Sequence, residues 1–267
     1  MQFLEIVLNC LEIGIKKHLG VNSDCMKLFN KFRRQIIGNR KIRNYIFYAI
    51  GEIILVVLGI LIAVKINNLN EEQKQIELRD SILEEMQLNL KEDIEDMTAN
   101  EEIHLRAINS AEVILKAFDE KIPASDSMYF HFGKVIVTPQ FLPTKSAYNN
   151  LVDVGVRILE NDSLRGQLTE LYENHYVFLK RLADSEWDTS IEDYNTIYRE
   201  KFSKSEYRYL PKMIPENYED LQSDAYYQNY LQNRIGLLKL LIEEYSLNVE
   251  RAQKLYSHID QELAKEN

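Results

Sequence analysis

Cysteine, glycine and proline are scarce in this chain, and the familiar signatures of catalysis are missing. Its 267 residues include two cysteines, nine glycines and five prolines. Cys10 and Cys25 both lie in the first 25 residues, which excludes disulfide staples from everything after them. So few helix breakers predict long helices with few turns. There is no HExxH, CxxC, phosphate-cradling glycine loop, GxSxG elbow or EF-hand loop. His104, His131, His175 and His258 are scattered without metal-ligand spacing, and His175, on an apolar helix face, is expected at the core or its boundary. Acid pairs such as Glu84-Glu85, Glu101-Glu102 and Glu243-Glu244 read as solvated helix faces. No catalytic, metal or cofactor residue is expected, and the chain does not read as an enzyme; an enzyme with an unrecognised site is the alternative.

One long apolar run is present. Tyr45 to Val64, YIFYAIGEIILVVLGILIAV, carries a single charge, Glu52. Twenty helical residues span about 30 Å, the hydrocarbon thickness of a bilayer. The run lacks the polar stripe of a helix lying on a globular core, so a transmembrane helix over 45–65 is expected. Residues 1–44 hold nine Lys or Arg and three acids, whereas residues 66–267 hold 22 Lys or Arg and 38 acids. The basic flank predicts a cytoplasmic N-terminus and an extracytoplasmic or periplasmic C-terminal domain, in a cell (inner) membrane crossed once. An acidic exterior also excludes nucleic acid as the expected partner.

From Met26 to Tyr45, basic residues alternate with Leu28, Phe29, Phe32, Ile36 and Ile37, the pattern of a helix lying on lipid or of a plain topological signal. Met26 opens a complete cytoplasmic tail and is a candidate start of translation. Within the span, a carboxylate at Glu52 costs about 3 kcal/mol unless it is protonated, paired or wetted. Arg43 or Lys41 reaching down is one solution. The other is a helix contact with a partner span or a second copy, and Gly51, Glu52, Leu55, Gly59 and Ala63 are the candidate contact residues.

The 200 residues after the span suffice for one cored domain. Leu231, Ile235, Leu238, Ile242, Tyr245, Val249, Ala252, Tyr256, Ile259 and Leu263 follow a four-three spacing, predicting a helix from about Ala225 to Ala264 with one apolar seam. Ile76, Leu83, Met86, Leu90, Ile94 and Met97 line the expected partner, a continuation of the spanning helix to about Phe118, packed antiparallel. An intermolecular coiled coil is the alternative. A third helix runs through Leu164, Leu168, Leu171, Phe178 and Leu182 to Tyr198, capped by Asn161 or Asp162; a short one is capped by Thr144 and ends at Gly155. Ile122–Leu142 reads as a loop, with a β-prone run at 134–138 as the candidate short strand, and Ser203–Glu219 as a second irregular stretch. The fold class is therefore mainly α: a transmembrane helix continuing into an antiparallel bundle with a short irregular or β insertion. Eight of the sixteen tyrosines fall between Tyr194 and Tyr230, for recognition if exposed and for packing if buried.

The box Tyr48-Ala49-Ile50-Gly51-Glu52-Ile53, then Leu55-Val56, Gly59 to Ala63 and Ile66-Asn67-Asn68, resembles the bacterial single-pass membrane proteins of DUF6090, a family of unknown function. Thr144-Lys145-Ser146-Ala147-Tyr148, Leu151, Gly155, Asn161 to Arg165 and Leu171-Tyr172 are similar too. Leu69 stands where family members often carry Trp after the paired Asn. The resemblance implies no activity. Two functional expectations follow: a membrane-anchored helical module that binds a ligand or partner outside the membrane and acts through a partner protein, or an accessory subunit of a transporter or envelope complex that docks through its span.

Overall fold

The computed structural model describes residues 40–206 and 212–265. The basic tail before Arg40, Met26, both cysteines, Tyr207 and Tyr209 lie outside the described residues. The chain divides into two compact units, residues 1–73 and 74–267.

The protein is mainly α. Helix α1, Arg40–Asp119, is 80 residues long without a break. In the first unit every large apolar side chain from Phe47 to Leu69 is exposed. This is the one described helix long and apolar enough to cross a membrane, and none of its most apolar window is buried.

The second unit is built on the rest of α1 and on α8, Ala225–Leu263. Asp224 starts α8 by accepting hydrogen bonds from the backbone N–H groups of Tyr226 and Tyr227. The Lys201 ammonium bonded to Asp224 holds that carboxyl below its usual range, which keeps the cap charged. The two helices are antiparallel, since Tyr245 meets His104 while Lys239 meets Glu112. The seam of α8 therefore packs within this chain, in cores that α1 helps to line.

The positions in that seam differ from the expected ones. The buried residues of α8 include Tyr227, Leu231, Arg234, Leu238, Leu241, Tyr245, Asn248, Ala252, Leu255 and Ile259, a four-three alternation throughout. It keeps Leu231, Leu238, Tyr245, Ala252 and Ile259 from the predicted seam but replaces Ile235, Ile242, Val249 and Tyr256 by the residue before each. Ile235, Ile242 and Val249 pack only partly against the core, and Tyr256 is exposed. On α1, Leu83, Met86, Leu90 and Met97 are buried as expected, and Asp93 takes the place expected for Ile94.

Between these helices lie α2, Asp126–Val135; α3, Ser146–Val154; a 3-10 turn; and a helical run over 162–201. That run comprises α4, Asp162–Thr169; a π-helical turn, Glu170–His175; α5, Tyr176–Asp193; a second π turn, Tyr194–Tyr198; and α6, Arg199–Lys201. Asn161 caps it through Ser163 and Leu164, as predicted. Strands β1, Phe202–Glu206, and β2, Lys212–Pro215, pair antiparallel with Phe202 opposite Pro215, and α7, Tyr218–Ser223, precedes α8.

Two local expectations need correction. The β-prone stretch at 134–138 holds no strand: Lys134 and Val135 end α2, which Ser125 caps, because Met128, Phe132 and Val135 reach the core at helical spacing and that burial outweighs β propensity. The strands form instead on either side of 207–211. Thr144 does not cap α3; Lys145 occupies that position, and the Thr144 N–H donates to Asp93 Oδ1 at 2.7 Å. Gly155, at φ +107, does end α3. No side chain with a Cβ adopts that backbone angle without strain.

Two cores stack along α1 and α8. One joins α1 from Ile82 to Ile108 with α3, α4, the first π turn, α5 and α8 from Leu238 to Ile259. The other joins Ala111 to Phe118 with α2, Ile197, Tyr198, Phe202, Met213, Leu221 and Tyr227 to Leu231. Ile235 packs against both, so the boundary between the cores falls beside Arg234.

Candidate functional site

That boundary holds a buried ion pair. Arg234 Nη1 lies 2.8 Å from Glu186 Oε1, with side chains 2 % and 0 % exposed. Arg234 Nε donates to the Val135 carbonyl, and Nη2 donates to Thr138 Oγ1 at 3.0 Å. Thr138 in turn donates to Glu186 Oε1 at 2.9 Å, and Ser190 Oγ lies 3.1 Å from the Thr138 hydroxyl. One guanidinium thus ties α8 to the end of α2, the following loop and α5. Burial pushes the Glu186 carboxyl up, opposed by Arg234 and Thr138. The other carboxylate oxygen, Oε2, is buried without a partner.

Depressions flank the pair. One, about 280 Å³, has Asp193, Tyr226, Tyr230 and Asn233 in its walls and reaches Arg234. The other, about 320 Å³, lies between Ile136 and Thr138 of the loop and Trp187, Ser190, Ile191 and Tyr194. The tyrosine-rich stretch is divided between packing and surface. Tyr198, Tyr227 and Tyr230 are buried in an aromatic cluster with Phe132 and Phe202, whereas Tyr226 is 65 % exposed.

Two further polar residues sit in the α1 seam. His104 is buried against the Tyr245 ring, both nitrogens without a partner. Burial and then the charge of Arg234 lower its pKa to about 4. Asp93 accepts from Thr144 beside Tyr172 and Tyr176, and burial raises its carboxyl to about 6. The signs of the two are opposite. The Asp93 value lies above its unfolded one, so the folded state holds the extra proton and stability falls as pH rises from about 4 to 6. The His104 value lies below its unfolded one, so stability rises as pH goes from about 4 to 6.5. Each shift is worth about 3 kcal/mol over its window, so in the intact protein they largely cancel. Asp93→Asn is expected to leave the His104 slope, so that the variant loses stability in mild acid faster than the unaltered protein. His104→Gln is expected to do the reverse. Urea midpoints measured at several pH values check this, and parallel curves for all three proteins would refute it.

The later segment that carries the family resemblance, from Thr144 to Tyr172, turns out to be architectural. Ser146 Oγ donates to Asn89 Oδ1 or Glu85 Oε1, Lys145 reaches the Tyr172 carbonyl, and Tyr148 stacks on Tyr172 at 4.6 Å. Asn161, besides capping α4, donates to Glu262 at 2.8 Å, and Arg165 donates to the Leu159 carbonyl at 2.6 Å. These contacts seat α3 and α4 against α1 and α8.

Of the residues predicted for a contact in the membrane, Gly51, Glu52, Leu55, Gly59 and Ala63 are all exposed. At 100° per residue they share a sector of about 120°, with Glu52 and Gly59 about 20° apart. A Cβ at Gly51 or Gly59 would meet nothing within 4 Å, so the face is open to close approach. Of the histidines, His175 lies at the boundary near Glu170 and His104 is the buried one. Glu84, Glu102 and Glu243 are exposed. Among the described residues no group of three His, Cys, Asp or Glu is placed to hold a metal. Sequence reasoning missed Arg234, Glu186 and Asp93, and it named His104 without placing it in the core. A legible signal existed for Arg234, which stands seven residues after Tyr227 and seven before Leu241, at a seam position.

These features define a class: a helical domain with two apolar cores and a buried ion pair at their boundary, on a helix long enough to cross a membrane. A family model matches residues 52–198, and the chain belongs to the family of unknown function DUF6090. No curated protein and no solved structure matches it.

Proposed function

We propose that the chain is a membrane-anchored module. Residues 45–65 cross the bilayer, the basic tail stays in the cytoplasm, and the domain from residue 66 binds a ligand or partner on the outer side and acts through a partner protein. The observation that carries this reading is the uncovered apolar surface of α1 from Phe47 to Leu69. Exposed to water it would form an apolar patch far larger than a soluble monomer tolerates, whereas lipid removes the penalty. The opposite charges of the flanking segments support the orientation.

A second reading, an accessory subunit of a transporter or envelope complex, is favoured by Glu52. A carboxylate at that depth gains from a polar group on another helix, and the glycines beside it admit one closely. Cysteines placed along the span of the full chain and crosslinked in native membranes test the contact shared by both readings. Crosslinking should peak at Leu55 and Gly59, persist in Glu52→Gln and weaken in Glu52→Leu. A uniform pattern, together with a chain that leaves the membrane alone in mild detergent, would remove the partner from the account. Replacing the span by an unrelated apolar helix separates the readings, since a pure anchor survives the exchange and a subunit contact does not.

A further inference from the structure

The depression beside Arg234 has the chemistry of a ligand site. One wall is the helical run around Asp193 and Ile197, and the other is the face of α8 carrying Tyr226, Tyr230, Asn233 and Leu237. Three charges lie in or under it. Arg234 and Glu186 neutralise each other at 2.8 Å. The Asp193 backbone carbonyl accepts from the Thr196 hydroxyl, but its carboxylate makes no ion pair or hydrogen bond among the described residues, so with Arg234 balanced by Glu186 the depression presents one further negative charge. Burial raises the Asp193 carboxyl despite Arg234, and a cation beside it would restore the ionised form.

Two other observations agree. The Tyr230 ring forms part of the wall while its hydroxyl is buried out of reach of solvent, and the exposed Asn229 and Asn233 supply amide oxygens to the depression. The helix also turns π directly after Asp193, over Tyr194–Tyr198, and π turns within α-helices gather at functional sites. Leu237 and Ile197 supply apolar surface, and the exposed ring of Tyr226 offers an aromatic face to a cation. A volume of about 280 Å³ suits a small molecule.

We propose that this depression binds a small free organic amine as its primary ammonium ion. Asp193 is the counter-ion, the side-chain amide oxygens of Asn229 and Asn233 accept its other N–H groups, and Tyr226 with Leu237 covers the alkyl part. The assignment names the ligand class of the module proposed above and rests on that reading. Its failure is distinguishable, because a chain that binds no amine yet still crosslinks through its span remains an anchored module.

Calorimetric titration of the full chain in neutral detergent with n-butylammonium chloride tests the proposal. One saturable site is expected, weakened at least about tenfold in Asp193→Asn, as loss of a charge-assisted hydrogen bond implies. Tyr226→Ala, at an exposed position that leaves the core intact, should weaken it several-fold, and Glu192→Gln, on the exposed neighbouring carboxylate, should leave it unchanged. 1-Butanol and butyrate should not compete. Absence of a saturable site, equal binding of 1-butanol or butyrate, or full affinity in Asp193→Asn and Tyr226→Ala would overturn the proposal. Binding of Nα-acetyl-lysine methylamide tighter than butylammonium would assign the site to a protein lysine and overturn the free amine.

Discussion

Arg234→Met is expected to destabilise the helical domain by about 3–5 kcal/mol, the cost of leaving a buried charge without its partner. The substitution strips three acceptors at once: Glu186 Oε1, Thr138 Oγ1 and the Val135 carbonyl. Glu186 is the worst placed of these, since its side chain has no exposure and its second oxygen is already without a partner. Protonation of Glu186 limits the loss. Its carboxyl is already raised by burial, and without Arg234 it rises further, so the variant should be least impaired in acid and lose stability as pH increases above the unfolded glutamate value. Arg234→Met combined with Glu186→Met should recover most of the loss, because a buried ion pair and a packed apolar pair of similar volume are close in free energy. Urea unfolding followed by circular dichroism gives all three values. Additive losses in the double variant would show that the two residues act independently.

Leu241→Ala should cost about 2–5 kcal/mol, and Ile242→Ala less than half as much. Leu241 has no exposure and fills the α8 seam between Leu238 and Tyr245, whereas Ile242 rests at the edge of the same core. The two residues are neighbours of equal size, so composition cannot separate them. Only the register does. Equal losses, or a larger one at Ile242, would place the seam one residue further on and contradict the packing described.

The pair also shows what hydrophobic periodicity reveals and what it hides. The α8 boundaries, the antiparallel pairing with α1, the Asn161 cap and the stop at Gly155 follow from heptads, capping chemistry and glycine placement, and they are legible in the sequence. The rotation of the seam is not. At Arg234, Asn248 and Asp93 a polar residue occupies a seam position, and an apolar residue follows it: Ile235, Val249 and Ile94. A reading that scores apolarity steps to that neighbour, and carries Leu241 and Leu255 along by preserving the four-three rhythm. The buried polar groups are therefore what the pattern conceals, and they build the candidate site. The same limit applies to α2, whose end takes in part of a β-prone segment because Phe132, just before it, packs on Phe118, Phe202 and Tyr227, contacts that no local pattern shows.

The architecture gives the chain two chemically distinct parts, an uncovered apolar helix and an acidic domain with its own cores. Their assignment to membrane and exterior is the central claim, and it is tested most directly by side-selective labelling. Glu250 is exposed on α8, so Glu250→Cys in a chain without Cys10 and Cys25 can be challenged with a membrane-impermeant maleimide in intact cells whose outer membrane, where present, is permeabilised. The account predicts that Cys at 250 is labelled in intact cells, whereas Cys10 or Cys25 retained alone is labelled only after lysis. Labelling at 250 only after lysis, or recovery of the chain in the soluble fraction, would contradict it.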